Sequence, residues 1–268
     1  MRSGQSEMST NTGLPSKSEC VMWVRTLQGG VLKTLVETLK DIVFEVSLNV
    51  SADGIKSTTM DTAKQSLVFL KLDASRFEEF HVSRQLHLGI GCHQLHKILK
   101  SLTANDVLTL FVQVNDEHRL GIAIENVEKK STTVLRVKLL DMDFQDISIP
   151  TVDFDRVVRL QSTAFQRLCR DMGNLATTVR IKSSNGKIEL HADGDFASQT
   201  TILGGGADDG GDDGEVVEAV YNLKYLTLFG RASNLGSMLS LYIKRDHPLI
   251  IEYEAGQLGI LKFLLTPA

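Results

Sequence analysis

Short runs in which apolar and polar residues alternate dominate the chain from about residue 23 onward, and a few segments depart from that alternation. Alternation of period two predicts half-buried β-strands, whereas apolar positions recurring every three to four residues predict amphipathic helices. The strand-like runs are 43–50, 55–59, 67–72, 107–114, 120–125, 134–139, 179–183, 187–191, 239–244, 249–254 and 259–265. The helix-like segments are 30–42, 92–102, 162–174 and 222–232. The pattern therefore predicts an α+β protein built mostly of sheet.

The order of these elements repeats once along the chain. In the first half a helix is followed by a strand, an Asp-Gly turn and a second strand, and in the second half the same series surrounds an Asn-Gly turn. The offsets between the halves are 130, 127 and 131 positions, from Asp41 to Asp171, from Lys97 to Lys224 and from Leu108 to Leu239. This nearly constant offset predicts two similar domains, each with two helices on antiparallel sheet.

The boundaries of these domains follow from shifts in composition. Residues 1–21 are rich in Ser, Thr, Gly and Asn without apolar periodicity, which predicts a disordered N-terminal extension. The two domains are then residues 22–138 and 151–268. In the connector between them, residues 139–150, acidic residues alternate with large apolar ones up to Pro150. This pattern favours an ordered connector that lies over a surface, and an edge strand is the alternative.

Composition is typical of a globular protein, with 268 residues of which 42% are apolar and 23% charged. No run reaches the roughly 18 apolar residues of a membrane helix, and no signal segment opens the chain, so we expect an intracellular protein that does not enter a membrane. Three widely spaced cysteines favour reduced thiols, with Cys92 and Cys169 as core residues and Cys20 as the third.

The positive charge is concentrated on the four predicted helices. Each helix has an apolar stripe, and its Lys or Arg residues lie away from that stripe. These residues are Lys33, Lys40, Lys97, Lys100, Arg167, Arg170, Lys224 and Arg231. Eight basic residues against three acidic ones (Glu37, Asp41 and Asp171) give the helices +5, in a chain whose net charge is −4, so the remainder has −9. A basic surface on an acidic protein suits contact with a phosphate backbone on one side only.

The alternative for any single helix is an ordinary solvated face. Four such helices in succession favour a common basic surface. No aromatic residues are interleaved with the basic ones, so base stacking is not indicated. We therefore expect contact with the phosphates of a nucleic acid, independent of sequence and weakened by salt.

No catalytic or metal-binding constellation is evident. His93 and His96 have a spacing that could hold a metal, but no third ligand accompanies them. Segment 204–214 gathers aspartates, yet adjacent Asp pairs flanked by glycine lack the ligand spacing and flanking helices of an EF-hand, so a flexible surface loop is favoured. Nucleophile elbows, Walker loops and dinucleotide fingerprints are missing. We expect neither an enzyme nor a cofactor.

Several segments together resemble the DNA sliding clamps of the proliferating cell nuclear antigen family. The most specific is 165–172, Phe-Gln-Arg-Leu-Cys-Arg-Asp-Met, which matches the third helix of these clamps almost position by position. The other matching segments are 32–41, Met60-Asp61, 97–100, 139–150 and 248–253. Their order and spacing extend the resemblance over residues 22–267.

The resemblance implies a DNA-clamp fold and a homotrimeric ring that encircles duplex DNA as a processivity factor in replication and repair. The eight basic residues named above fall on channel positions of the family. Neighbouring subunits would pair through edge strands, here 130–138 against 196–203. The implied location is the nucleus, or the viral replication site if the protein is viral.

The resemblance also implies a pocket beneath the connector that binds DNA polymerase, the clamp loader and other proteins with a clamp-binding motif. Carried over by position, the pocket residues are Met60, Lys64, Leu67, Ile147, Ile149, Pro150, Pro248 and Pro267. Lys64 and Gln65 replace a histidine and a valine of the family, which predicts a shifted preference for partners. Ser184 stands where eukaryotic members have a modified lysine, and no acidic tail follows Pro267.

Two other classes of protein remain as alternatives. One is a checkpoint or hub scaffold with the clamp fold that forms a heterotrimer or no longer encircles DNA. The other is an enzyme on a two-domain α+β scaffold, for which no candidate site is found. Basic residues on all four helices favour the homotrimeric clamp.

Overall fold

The structure, a computed structural model, describes residues 13–103, 105–142, 156–184, 187–204 and 216–268. The helices in these ranges are α1 (Gly29–Leu39), α2 (Cys92–Leu99), α3 (Ser162–Gly173) and α4 (Leu223–Gly230). Strands of the first half are β1 (Cys20–Thr26), β2 (Glu45–Ser51), β3 (Gly54–Met60), β4 (Ser66–Asp73), β5 (Glu79–Val82), β6 (Leu86–Gly91), β7 (Asp106–Gln113), β8 (Asp116–Asn126) and β9 (Ser131–Lys138). Strands of the second half are β10 (Arg156–Gln161), β11 (Thr178–Ser184), β12 (Lys187–Asp193), β13 (Ser198–Leu203), β14 (Val217–Asn222), β15 (Met238–Ile243), β16 (Leu249–Ala255) and β17 (Gly259–Leu265).

All four predicted helices are confirmed, although three of them end two or three residues earlier than predicted. The first was predicted to reach Ile42 and ends at Leu39, where the carbonyl of Leu39 accepts the N–H groups of both Ile42 and Val43. Such a tight turn closes a helix and lets a buried strand follow at once. Within the described ranges three short 3₁₀ turns, Lys17–Glu19, Ala74–Arg76 and Arg231–Asn234, supplement the helices.

The described strands form three antiparallel sheets. The strand orders are β5-β1-β7-β8-β9, β10-β15-β16-β17-β4-β3-β2-β6 and β13-β12-β11-β14. The central sheet of eight strands joins four strands of the second half to four of the first. Its joint is the antiparallel pair β17–β4, with Gly259 opposite Leu72 and Leu265 opposite Ser66. The predicted α+β class with antiparallel sheet is therefore confirmed.

The internal repeat holds for the elements and for the predicted pair Leu108 and Leu239, which are 131 positions apart, but not for the predicted match of Lys97 with Lys224. Helices α1 and α3 begin 133 positions apart (162 − 29), and α2 and α4 begin 131 apart (223 − 92). Lys97 therefore corresponds to Leu228 (97 + 131), and the predicted match of Lys97 with Lys224 is wrong. Buried residues fix the register, since Leu95 and Leu226 are both buried and 131 apart, whereas exposed basic residues are free to differ.

One continuous hydrophobic core lies between the helices and the sheets of both halves. Each helix contributes the buried side of its apolar stripe, as α4 does with Leu226 and Phe229. The ring of Phe229 stacks on that of Phe263 with a centroid distance of 4.4 Å, which joins α4 to the central sheet. All three cysteines are free and buried, and burial raises the pKa of Cys92 to about 12, so the prediction of reduced core thiols is confirmed.

The predicted disorder of residues 1–21 is wrong for the part that the structure describes, residues 13–21. Ser16 and Glu19 form a capping box around the turn Lys17–Glu19, and the N–H of Val114 donates to the carbonyl of Glu19 at 3.0 Å. Leu14 packs against a small second cluster of Cys20, Trp23, Phe111 and Ala123. The polar composition of this segment did not indicate its ordered structure, because a single leucine makes the apolar contact.

We expect the change Leu14→Ala to expose the Trp23 cluster. Trp23 is the chain's one tryptophan and is 6% exposed, so its fluorescence reports directly whether Leu14 shields the cluster from solvent. Emission should shift to longer wavelength and quenching by acrylamide should increase, with a stability loss of about 1 kcal/mol for the partly buried side chain. The control Lys56→Ala removes an exposed side chain of β3, in a different sheet from Trp23, and should leave emission unchanged. Unaltered emission in Leu14→Ala would mean that this segment does not cover the cluster.

Candidate nucleic-acid interface and partner pocket

Contacts between neighbouring helices join the four into one set, the helix layer. Helix α1 packs beside α2, α3 packs beside α4, and the turn Arg231–Asn234 contacts both α1 and α3. The apolar side of each helix is in the common core, so the opposite sides of all four helices share a surface. Basic residues that the sequence assigned to separate helices therefore belong to a single surface.

Five of the eight predicted DNA-binding residues are exposed and make no hydrogen bond of their side chains within the described residues. They are Lys97, Lys100, Arg167, Arg170 and Lys224. Arg167 and Arg170 lie 3.6 and 3.9 Å from Asp171, beyond hydrogen-bond distance, with side chains 78% and 64% exposed. These five side chains can turn toward a phosphate backbone without breaking a hydrogen bond inside the protein.

The other three predicted residues are bonded within the protein. Lys33 donates from Nζ to the carbonyl oxygens of Lys100 and Leu102, at 3.0 and 2.9 Å. Lys40 donates to Oδ1 of Asp41 at 2.8 Å, and Arg231 donates to Oδ2 of the same carboxylate. The Asp41 carboxylate borders a polar niche of about 340 Å³ between α1, α3 and the turn Arg231–Asn234. Sequence patterning could not separate these three from the exposed five.

Asp41 remains ionised because two cations surround it. Burial alone would raise its pKa, but the hydrogen bond from Lys40 and the charge of Arg231 lower that pKa overall. The carboxylate therefore keeps both oxygens available as acceptors at neutral pH, and one oxygen binds each half of the chain.

The predicted partner pocket is only partly within the described residues. Met60 ends β3, Leu67 lies at the start of β4, Pro248 precedes β16 and Pro267 follows β17, so the structure brings these four to one end of four adjacent strands. Ile147, Ile149 and Pro150 lie outside the described residues.

A row of apolar side chains crosses the strands at this end of the sheet. Met60 is opposite Leu67, Leu67 is opposite Leu264, Leu264 is opposite Ile250, and Ile250 is opposite Tyr242. Directly opposed residues point to the same face of a sheet, so all five share one face. Sequence reasoning missed Leu264, Ile250 and Tyr242. Ile260, Lys262 and Leu264 are the outward-facing positions of β17. The apolar Leu264 at an outward position was the sequence signal that could have indicated a binding surface.

Lys64 stands on a rigid turn beside this row. The buried carboxylate of Asp61 accepts the N–H groups of Ala63, Gln65 and Ser66 at 3.1, 2.8 and 2.6 Å. This cage holds Lys64 at φ 56°, a left-handed conformation that few side chains adopt unaided. The exposed lysine side chain is therefore displayed from a fixed backbone next to Met60.

Asp61 also joins the two halves of the chain. The hydroxyl of Tyr225 in α4 donates to Oδ2 of Asp61 at 2.7 Å. Burial and this hydrogen bond raise the pKa of Tyr225 to about 12, so the hydroxyl keeps its proton. The turn that displays Lys64 is thus anchored to a helix of the basic surface.

The predicted edge strands are at sheet edges. Strand β9 pairs with β8 alone, and β13 pairs with β12 alone, among the described residues. Phe196, just before β13, is 78% exposed, and Ile202, within β13, is 61% exposed. An edge strand has unpaired backbone N–H and C=O groups, and with exposed apolar side chains it is suited to pairing with another strand.

Within the described ranges no cluster of three or more His, Cys, Asp or Glu side chains is placed to hold a metal ion. Helices there are also too short or too polar to cross a membrane.

Comparison with known proteins agrees with the geometry of the helix layer and the sheets. Residues 21–147 match the family model of the proliferating cell nuclear antigen N-terminal domain, and residues 148–268 match that of its C-terminal domain. A protein described as probable DNA polymerase sliding clamp 1, from Paramecium bursaria Chlorella virus 1, is 35% identical over 255 residues, covering 91% of this chain and 95% of the relative. The chain therefore belongs to the proliferating cell nuclear antigen family of DNA sliding clamps.

Proposed function

We propose that the chain is a DNA polymerase processivity factor that encircles duplex DNA as a ring and tethers replication proteins to it. The observation that supports this most directly is the single layer of four helices with exposed basic side chains, in a chain of net charge −4. The protein is then a binding module of replication and repair rather than an enzyme, and it acts in the nucleus or at a viral replication site.

Contact with DNA would be made to phosphates. Lysine and arginine side chains on helix surfaces bind a backbone that has the same charge at every base pair, so the complex has no preferred sequence. The ring can then slide, because moving along the duplex exchanges equivalent contacts.

The ring itself would be a homotrimer closed by β9 of one subunit and β13 of the next. The internal joint between β17 and β4 provides a template for that pairing. In the internal repeat, β9 of the first half corresponds to β17 of the second half, and β13 of the second half corresponds to β4 of the first. Leu261 is opposite Leu70 in the internal joint, and Phe263 is opposite Val68. The pairing of each edge strand with the neighbouring strand of its hairpin aligns β9 with β17 and β13 with β4. The same register between subunits would then set Thr133 opposite Thr201 and Leu135 opposite Gln199.

A segment of DNA polymerase, the clamp loader or another partner would bind the apolar row with a few aliphatic or aromatic anchors. Met60, Leu67 and Leu264 would receive those anchors, with Pro248 and Pro267 at the rim. The connector residues Ile147, Ile149 and Pro150 complete the pocket in this proposal. Buried apolar anchors in such sites supply most of the binding energy.

We expect Leu264→Arg to weaken binding of partner peptides by at least tenfold. A charged side chain in the middle of the row cannot be desolvated by an apolar anchor, at a cost of about 2 kcal/mol or more. The matched control is Ile260→Arg, on the same strand and face but four residues from the pocket. Fluorescence anisotropy with a labelled clamp-binding peptide measures both. Equal affinities of the two variants would place the partner elsewhere.

The proposed function is tested by primer extension on a circular template with a polymerase and clamp loader from the same source. Products should lengthen when the protein is added together with the loader, and linearising the template should let the ring slide off and remove the effect. Products of unchanged length on the circular template would refute the proposal.

A further inference from the structure

We infer that the basic residues of the helix layer divide into two groups with different tasks, an inference that rests on the proposed function. One group, Lys33, Lys40 and Arg231, consists of positioning residues whose side chains are bonded within the helix layer. The other group, Lys97, Lys100, Arg167, Arg170 and Lys224, supplies the charge that meets phosphates.

Lys33 joins α1 to the end of α2. Helix α2 ends at Leu99, so the carbonyls that follow have no helical N–H partner. Two of these carbonyls, on Lys100 and Leu102, accept from Nζ of Lys33. An ammonium group has three donors, so two of three are used for this bond. A positive charge at the C-terminal end of a helix is also favoured by the helix dipole. Lys33 therefore closes α2 and fixes its distance from α1.

Asp41 joins the two halves of the layer through Arg231, while its neighbour Lys40 binds the other carboxylate oxygen. Lys40 and Asp41 lie directly after α1, with side chains 19% and 24% exposed, and Arg231 begins the turn that follows α4. Each carboxylate oxygen takes one cation. Charge-assisted hydrogen bonds of this kind are stronger than neutral ones. Partial burial of Lys40 and Asp41 reduces the screening of their bond by salt, whereas the Arg231 side chain is 52% exposed. Moving either cation to a phosphate would leave the carboxylate with an unmatched oxygen.

Asp171 provides the contrast within the same layer. It also lies beside two arginines, but at 3.6 and 3.9 Å and with its own side chain 46% exposed. Ion pairs at such distances on the surface hold their partners weakly. Arg167 and Arg170 therefore stay available, although Asp171, like Asp41, directly follows a basic residue in the sequence.

The first test compares two variants with the same change in charge, Lys33→Gln and Lys97→Gln. Binding to a short linear duplex is measured over a range of salt concentrations, and amide hydrogen exchange is measured in residues 100–103. Lys97→Gln should reduce the slope of log affinity against log salt by about one for each contact removed and leave exchange unchanged. Lys33→Gln should leave the slope unchanged and accelerate exchange.

The second test compares Asp41→Asn with Asp171→Asn, which again change the charge equally. Asp41→Asn should lower the urea midpoint by roughly 0.3 M or more and steepen the salt dependence, because Lys40 and Arg231 are released. Asp171→Asn should leave the midpoint unchanged.

The division of tasks is overturned if Lys33→Gln reduces the salt slope as Lys97→Gln does, with normal exchange at residues 100–103, or if the two aspartate variants have equal midpoints. These outcomes are separate from failure of the proposed function. A wild-type protein without salt-dependent affinity for duplex DNA would refute the clamp, whereas the exchange and urea measurements would still decide whether Lys33 and Asp41 hold the helices.

Discussion

Reversing Lys97, Lys100 and Lys224 to glutamate is expected to abolish processive synthesis while the ring remains assembled. All three side chains are exposed on the helix layer and have no hydrogen bond in the described residues. Each reversal exchanges an attraction to phosphate of about 1 kcal/mol in water for a repulsion of similar size. With three reversals in each of three proposed subunits, the channel becomes strongly repulsive to DNA. Primer extension with the loader should then give the short products seen without any clamp.

The matched control for this variant reverses three exposed lysines outside the helices, Lys56, Lys129 and Lys187. Net charge changes by −6 per chain in both variants, from three changes of −2 each, so a difference between them reports where the charge is and not how much there is. Processivity should survive in the control. Equal loss in both variants, with sedimentation showing intact rings, would contradict the assignment of the helix layer to DNA.

A covalently closed ring is expected from the double change Thr133→Cys with Thr201→Cys. The transferred register places these residues opposite each other across subunits, where antiparallel Cα atoms are about 4.5–5.5 Å apart and a disulfide fits. The native cysteines are all buried, so the new thiols are the ones accessible to mild oxidation among the described residues. A denaturing gel without reductant should show a ladder that stops at three chains.

The out-of-register control for this prediction is Thr133→Cys with Ser198→Cys. Ser198 lies three residues along the same strand and on the opposite face, so its thiol cannot reach Thr133→Cys in the proposed pairing. Crosslinking of the control with the same yield would show that the register is wrong. A ladder that continues beyond three chains would indicate open filaments in place of a closed ring.

The sequence predicted the helices, the strand-rich halves and the repeat because buried apolar residues impose a period that can be read directly. It could not predict the residue-level offset, since exposed residues such as Lys97 and Lys224 are not held in register by packing. It also missed the anchoring of the N-terminal segment by Leu14, where one apolar contact and a capping box suffice.

The candidate site was predictable in composition but not in connectivity. Periodicity placed all eight basic residues on the polar sides of helices, yet Lys33 finds its partners 67 and 69 positions away, and Arg231 finds Asp41 190 positions away. Such bonds depend on how the helices pack. Leu264 was missed for the same reason, because its membership of the apolar row depends on the pairing of β17 with β4.

The internal β17–β4 joint also has a mechanical consequence. It is lined by Leu-Leu and Phe-Val pairs and reinforced by the Tyr225–Asp61 bond, whereas the register proposed between subunits gives Thr-Thr and Leu-Gln pairs with no covalent link. A closed ring of three chains would thus alternate strong joints within each chain with weaker contacts between chains. Under strain the contacts between subunits would part first, so the proposed ring would open between β9 and β13 and each chain would move as one rigid body.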